Sequence, residues 1–225
     1  MTSWCSPTCP PQMDADKAAA GLKATLDFRS EFRVDSAEAD LKESGVMDHI
    51  VPHWCCALGP TAPDGSPVLY WHASKLDAQK MFEHVDESQF TQFFCFWMER
   101  GLAAQRASIR RGLKPAGVIE VYDLSGVSLY ALSSAGTRMF GRVLGLGQQH
   151  YPENLTKGFL INAPWFFARG YDMVKPMLNA STVEQLEIFS DDAADALREL
   201  MDPEELRRLS GPDAIASSFE ALAQP

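Results

Sequence analysis

Three prolines and a run of aromatic residues between positions 151 and 190 leave few foldings open to this chain. Pro152 disfavours helical backbone at Tyr151, so a helical pattern arriving from upstream has to stop there. The next apolar run, 158–162, is short enough for a buried strand. Pro164 suits the first position of a new helix, and the pattern predicts that helix over 164–178, with Trp165, Phe166, Phe167, Tyr171, Met173, Val174, Met177 and Leu178. Its apolar stripe is wider than one packed face requires. Pro164 and Pro176 bracket it and Gly170 interrupts it, the three positions expected to act as hinges. Residues 182–189 read as the approach to another strand, centred on 186–189.

The remainder supplies an α/β pattern. The segment 117–123 is apolar, β-branched and followed by a turn, the clearest strand in the chain. Alternation places Val118, Glu120 and Tyr122 on one of its faces. Asp64-Gly65 is a hairpin signal between strands expected at 54–58 and 67–72. Helices are expected from Asp14 or Asp16 to Phe28, over 36–42 with Gly45 as its stop, over 77–85, over 87–111 and over 128–149. In the fourth, Phe90, Phe93, Phe94 and Trp97 recur at spacings of three and four, as a core-facing stripe does, and Arg106, Arg110 and Arg111 complement the dipole at its end. In the fifth, Gly141 and Gly145 are spaced for close approach by a neighbour. Gly145-x-Gly147 is no dinucleotide loop, because the third glycine position holds His150. Residues 192–201 read as a short amphipathic helix, followed by a turn from Asp202.

Charge and motif content exclude several functions. The 225 residues carry 20 basic and 30 acidic side chains, a formal net charge of -10, so no basic footprint for nucleic acid is present. No apolar run is long enough to span a bilayer, and residues 1–12 hold no apolar core of a secretory signal. Five cysteines, an odd number, fit reduced thiols in the cytoplasm. Cys5 and Cys9 lack a second pair at zinc-ligand spacing, so no metal site is expected. There is no G-x-S-x-G elbow, no Walker loop and no carboxylate with a recognisable acid–base partner. The residues describe a non-catalytic domain with an excess of bulky apolar side chains. On periodicity alone, 164–178 also reads as an ordinary core helix.

Several of these segments, in this order, resemble the CRAL-TRIO (Sec14-like) lipid-binding domains. The resemblance rests on Tyr151-Pro152-Glu153, on the 159–162 strand with Asn162 and Pro164, on Lys175-Pro176-Met177-Leu178 and on Ser181-Thr182-Val183. Gly65-Ser66-Pro67-Val68 and Asp123-Leu124-Ser125-Gly126 add to it. It covers about 17–211 and is strongest over 117–190. It implies a mixed, mostly parallel sheet flanked by helices, with an apolar lipid cavity closed by a gate helix at 164–178. It also implies no enzymatic activity and no cofactor. The partners implied are a lipid ligand and, transiently, a membrane surface, at a cytoplasmic location.

The organisation expected from it is a disordered tail over 1–12, a remnant of a helical region over 13–44, the lipid-binding domain over 45–211 and a loose tail over 212–225. Family members carry several helices where this chain has room for one, so it is either a piece lacking its start or naturally short.

The implied site residues match unevenly. Glu153 stands where phosphatidylinositol-transfer members place a glutamate of the inositol site, but Gln185 replaces their lysine. Val118 and Glu120 stand where a serine and a threonine would meet phosphocholine, with Tyr122 on the same face. Phe166, Phe167, Met173 and Met177 are the expected lid, methionine adapting to varied chain shapes. Two plainer readings stay open: Glu153 as a helix-end residue and Glu120 as an edge carboxylate. A phospholipid or phosphatidylinositol-type ligand is the first expectation. A neutral hydrophobe such as a sterol, tocopherol or retinoid is the second, and a protein-interaction or membrane-recruitment module without exchange is the third. The largest apolar cavity is expected between the sheet and 164–178.

Overall fold

A computed structural model describes residues 15–73, 76–129, 133–152 and 154–210. Alanines at 18–20 favour helix, and α1 runs Ala15–Glu31. Arg33 then takes the left-handed region, and a 3-10 turn, Val34–Ser36, leads into α2 (Ala37–Ser44). Gly45, at φ 68°, ends α2 where the sequence places a stop, in the conformation glycine adopts most readily. After α3 (Met47–Ile50) come β1 (Cys55–Thr61) and β2 (Pro67–His72), which pair antiparallel. The hairpin is set by Asp64, whose carboxylate accepts from Ser66 N and Ser66 Oγ, both at 2.8 Å, while Gly65 supplies φ 93°.

The short α4 (Ala78–Met81) is capped by Asp77. It covers less than the expected 77–85 because turns take over after Met81. α5 (Glu87–Arg110) starts on a reciprocal cap: Gln89 N donates to Asp86 Oδ1 at 2.8 Å and Asp86 N to Gln89 Oε1 at 3.0 Å, two otherwise orphaned donors satisfied together. It crosses over to β3 (Val118–Asp123), and α6 (Ser134–His150) crosses to β4 (Leu155–Ile161). α6 starts six residues later than expected. Asp123 Oδ1 accepts from Ser125 N at 2.9 Å and Gly126 takes φ 75°, folding the chain into a turn before Ser133 caps the helix.

β4 begins three residues earlier than its apolar run. Val118 N donates to Asn154 O at 2.7 Å, so backbone pairing with β3 carries the polar Thr156 and Lys157 into the strand. The chain continues through α7 (Phe167–Val174), a 3-10 turn at Lys175–Met177, α8 (Ala180–Gln185), β5 (Leu186–Ile188), α9 (Ala194–Arg198) and α10 (Pro203–Ser210). The five strands lie in sequence order, with β2 through β5 parallel. This is the mixed, mostly parallel α/β sheet expected.

Both faces of the sheet are covered. One packs Leu69, Trp71 and Val118 against α1, α2, α5 and α6, with Phe90, Phe93, Phe94 and Trp97 of α5 fully buried. The other packs Val68, Tyr70, Ile119, Val121, Phe159 and Ile161 against Leu197, Met201 and Leu209. Two-sided burial explains why β2 reads as a continuous apolar run rather than an alternating one. α1 is anchored where Arg29 donates to Glu99 at 2.6 Å and Phe28 stacks on His150 with ring centroids 3.9 Å apart.

The two α6 glycines differ from expectation. A Cβ at Gly141 would lie 3.3 Å from Met177 Sδ, a close approach, whereas Gly145 faces open space. At Gly117 a Cβ would lie 2.7 Å from the backbone oxygen of Asn154. Gly117→Ala is therefore expected to destabilise by about 1–3 kcal/mol, as overpacking against rigid backbone does. Gly145→Ala is expected to stabilise by about 0.5–1 kcal/mol through helix propensity. Urea unfolding midpoints of the two variants should move in opposite directions.

Candidate functional site

The site begins at the C-terminal end of β3. Asp123 is buried, at 4% exposure, and accepts from Tyr70 OH at 3.1 Å, Asn162 Nδ2 at 2.9 Å and Ser125 N at 2.9 Å. One carboxylate thus ties β2, the exit of β4 and the turn after β3. Asn162 takes φ 53°, and its N–H and that of Ala163 donate to Asp191 O and Phe189 O at 2.6 and 2.9 Å. These bonds hold 162–163 beside the exit of β5, so Pro164 does not begin α7 as expected; it supplies instead the carbonyl that Phe167 N meets at 2.8 Å. At the other end, Pro176 has no N–H for the carbonyl four residues back, and α7 gives way to the 3-10 turn.

α7 and its turn are held down by a few contacts. Phe167 and Ala163 pack against the main core. Gln148 of α6 donates from Nε2 to Met177 O at 2.9 Å and accepts from Asn179 N at 2.6 Å. On the outside, Trp165 is 86% exposed, Met173 52% and Met177 48%.

Beneath α6 and α8 lies a cavity of about 310 Å³. Phe94, Met98, Val143, Leu144 and Leu155 give it apolar walls, and Glu120, Tyr122, Tyr151, Asn154 and Gln185 reach it from β3, β4 and their neighbours. Glu120 is 6% exposed. Its Oε2 accepts from Trp71 Nε1 at 3.1 Å and, in a very short bond, from Tyr122 OH. Burial raises the Glu120 carboxyl above its ordinary range, against the pull of those two donors; no cation pairs with it among the described residues. Burial and the adjacent carboxyl likewise push the Tyr122 phenol up. Both groups therefore favour their neutral forms.

The expected site residues fall into separate groups. Glu120, Tyr122 and Gln185 line the 310 Å³ cavity together. Val118 points the same way but is fully buried against Gly101 of α5, and is not among the lining residues. Phe166, Phe167, Met173 and Met177 lie on and around α7, away from that lining; Gly170 is buried within α7, and Pro164 and Pro176 flank it. Glu153 lies outside the described residues. The 310 Å³ cavity lies under α6 and α8 rather than against α7. A larger one, about 590 Å³, lies between α1–α2 and α5, lined by Arg29, Asp35, Glu38, Glu99, Arg100 and Arg106 among others. Near α7, Phe167 and Leu160 pack against the core and Tyr122 stacks on Trp71.

Asn154 and Gln148 are the site residues that sequence reading missed. Only the position of Asn154 beside the Tyr-Pro-Glu step hinted at the first, and nothing marks the second. No group of three or more potential metal ligands occurs among the described residues, and none of their helices is long and apolar enough to cross a membrane.

Comparison with known proteins places this geometry. The family model for the CRAL/TRIO domain matches residues 53–211. The chain is 26% identical over 178 residues to the Sec14 cytosolic factor of Schizosaccharomyces pombe, covering 76% of this chain and 60% of that protein. It is 22% identical over 197 residues to the phosphatidylinositol/phosphatidylcholine transfer protein SFH7 of Arabidopsis thaliana, covering 87% of this chain and 36% of the relative. With the phosphatidylinositol transfer protein SFH5 of Kluyveromyces lactis it shares 24% over 183 residues, covering 80% and 59%. The chain thus spans less than two thirds of each relative's length. The crystal structure of Sfh5 superposes with a TM-score of 0.65 at 21% identity, covering 84% of this chain and 63% of that one, a likeness of fold.

The raised Glu120 carboxyl has a testable effect on stability. Below the ordinary value of 4.5, Glu120 is protonated in folded and unfolded chains alike and carries no penalty. As pH rises further, the unfolded chain ionises first and the folded state loses stability until its own, higher value is passed. Glu120→Gln is therefore expected to gain stability relative to the parent between pH 5 and pH 8, read from urea unfolding at both. An equal difference at the two pH values would mean that Glu120 is ionised in the fold.

Proposed function

This chain belongs to the CRAL/TRIO domain family, and from that premise we propose that it binds a lipid inside the fold and transfers or presents it at membranes. The observation that carries this reading is the outer face of α7 and its turn. Trp165, Met173 and Met177 lie outward on a segment fastened to α6 through one glutamine and one methionine contact. Aromatic side chains favour the membrane interface, so docking α7 on a bilayer offsets the cost of lifting it from the core. An acyl tail that leaves water gains about 0.8 kcal/mol per buried methylene, which drives refilling of the interior once the lid has opened.

The relatives named for phosphatidylinositol and phosphatidylcholine transfer make a phospholipid the first ligand to test. A neutral hydrophobe is favoured by one observation, the buried Glu120 with no cation beside it among the described residues. In this reading the domain, expected over 45–211, works without a covalent step. Its partners are the lipid and a membrane surface met transiently from the cytoplasm. A net charge of -10 argues against nucleic acid and leaves apolar contact as the main membrane force.

Two variants test the lid. Trp165→Asp is expected to slow fluorescent-lipid transfer between vesicles by about tenfold while bound lipid, counted by mass spectrometry, is unchanged, since a charge at an insertion site costs a few kcal/mol. Gln148→Ala removes two hydrogen bonds to the lid, each of about 1 kcal/mol, and is expected to speed release severalfold. Parent-like rates in both would assign α7 to the plain core, and a chain that retains no lipid would be an interaction or recruitment module.

A further inference from the structure

The 310 Å³ cavity carries a second reading, resting on the proposal that a lipid occupies the fold. We propose that the polar end of that lipid is an uncharged hydroxyl group, as in a sterol or a diacylglycerol, and that Glu120 and Asn154 are what select it over a phosphodiester.

The donors and acceptors around the cavity support this choice. Asn154 is 8% exposed, its Oδ1 is buried with no hydrogen-bond partner, and its Nδ2 has only Met98 Sδ at 3.9 Å. A buried carbonyl oxygen of this kind costs about 1–3 kcal/mol unless a donor reaches it. A phosphodiester has no donor to give; a hydroxyl has one. Glu120 makes the complementary offer. Trp71 and Tyr122 both donate to its Oε2, so in the acid form the proton sits on Oε1 and is available to a ligand oxygen. A hydroxyl can accept there and donate elsewhere.

An anion finds nothing comparable. No lysine, arginine or histidine lines the cavity among the described residues, whereas buried phosphates depend on such partners. Gln148 is spent on Met177 O and Asn179 N. The start of α8, which would otherwise draw negative charge, is closed by Asn179, whose Oδ1 accepts from Thr182 N and Ser181 Oγ. Ser181, Thr182 and Gln185 also reach the cavity from α8, and all three are neutral. The apolar walls of Phe94, Met98, Val143, Leu144 and Leu155 suit a hydrocarbon body.

The full chain should be incubated with phosphatidylcholine vesicles containing equal minor fractions of phosphatidylinositol, diacylglycerol and cholesterol, re-isolated, and its lipid quantified by mass spectrometry. The expected result is enrichment of diacylglycerol or cholesterol over both phospholipids by about tenfold, within what one unmatched buried polar group costs. Asn154→Leu is expected to lower that loading by about tenfold, the loss of one buried hydrogen bond, with Gly145→Ala as the unaffected control. Gln185→Lys, which brings a cation to the cavity, is expected to raise phospholipid loading severalfold; as a gain it cannot arise from misfolding, and it decides the matter if Asn154→Leu fails to fold. Phospholipid bound in proportion to the vesicle or above it, unchanged loading in a folded Asn154→Leu, or no gain in Gln185→Lys would overturn the assignment while leaving a lipid carrier in place. A chain that takes up none of the four lipids would overturn both readings.

Discussion

The carboxylate of Asp123 is the interaction on which the working end of this molecule depends. It is buried at the C-terminal edge of the sheet and holds Tyr70 of β2, Asn162 after β4 and the turn at Ser125. A buried charge is tolerated only where its hydrogen-bonding capacity is met, and three donors meet it here. Because one of them is Asn162, the same carboxylate sets where β4 ends and how the chain leaves toward α7. The approach to α7 is therefore positioned by the central strand, although 39 residues separate Asp123 from Asn162.

The two faces of the sheet differ in how their buried polar groups are met. The face beneath α9 and α10 packs Val68, Ile119, Val121 and Phe159, and its polar groups are paired within the protein, Tyr70 with Asp123 and His72 with the carbonyl of Leu209. The face beneath α5 and α6 also holds polar groups, Glu120 and Asn154, that a purely structural core would avoid. Glu120 is satisfied in part by Trp71 and Tyr122, and Asn154 is left with an open acceptor. Such groups cost stability in the empty fold, and a ligand that pairs with them returns that cost as affinity. The order of elements matches this division, since α6 and α8 cover the polar cavity while α7 covers the strand ends.

α7 is held by few contacts. α7 has a proline-bearing turn behind it, a positive-φ residue before it, and large apolar side chains on its outer surface. Its attachment to α6 runs through Gln148 and the Gly141–Met177 approach. Segments with few buried contacts open at lower free energy than the core around them.

Much of this architecture could be read from the chain. All five strands appear within three residues of their expected positions, because apolar runs bounded by turns have few alternatives. The Gly45 stop, the Asp64-Gly65 hairpin and the aromatic stripe of α5 are local signals with local causes. The start of α7 could not be read, because it is set by carbonyls of Phe189 and Asp191 that lie more than twenty residues downstream. The opposite fates of Gly141 and Gly145 depend on where Met177 comes to rest. Glu120 was legible as a face of β3, but its neutral character comes from burial that no pattern of residue types records, and it holds against the pull of Trp71, 49 residues away. Local pattern is enough where neighbours along the chain supply the forces; hydrogen bonding and desolvation across distant segments exist only once the chain has folded.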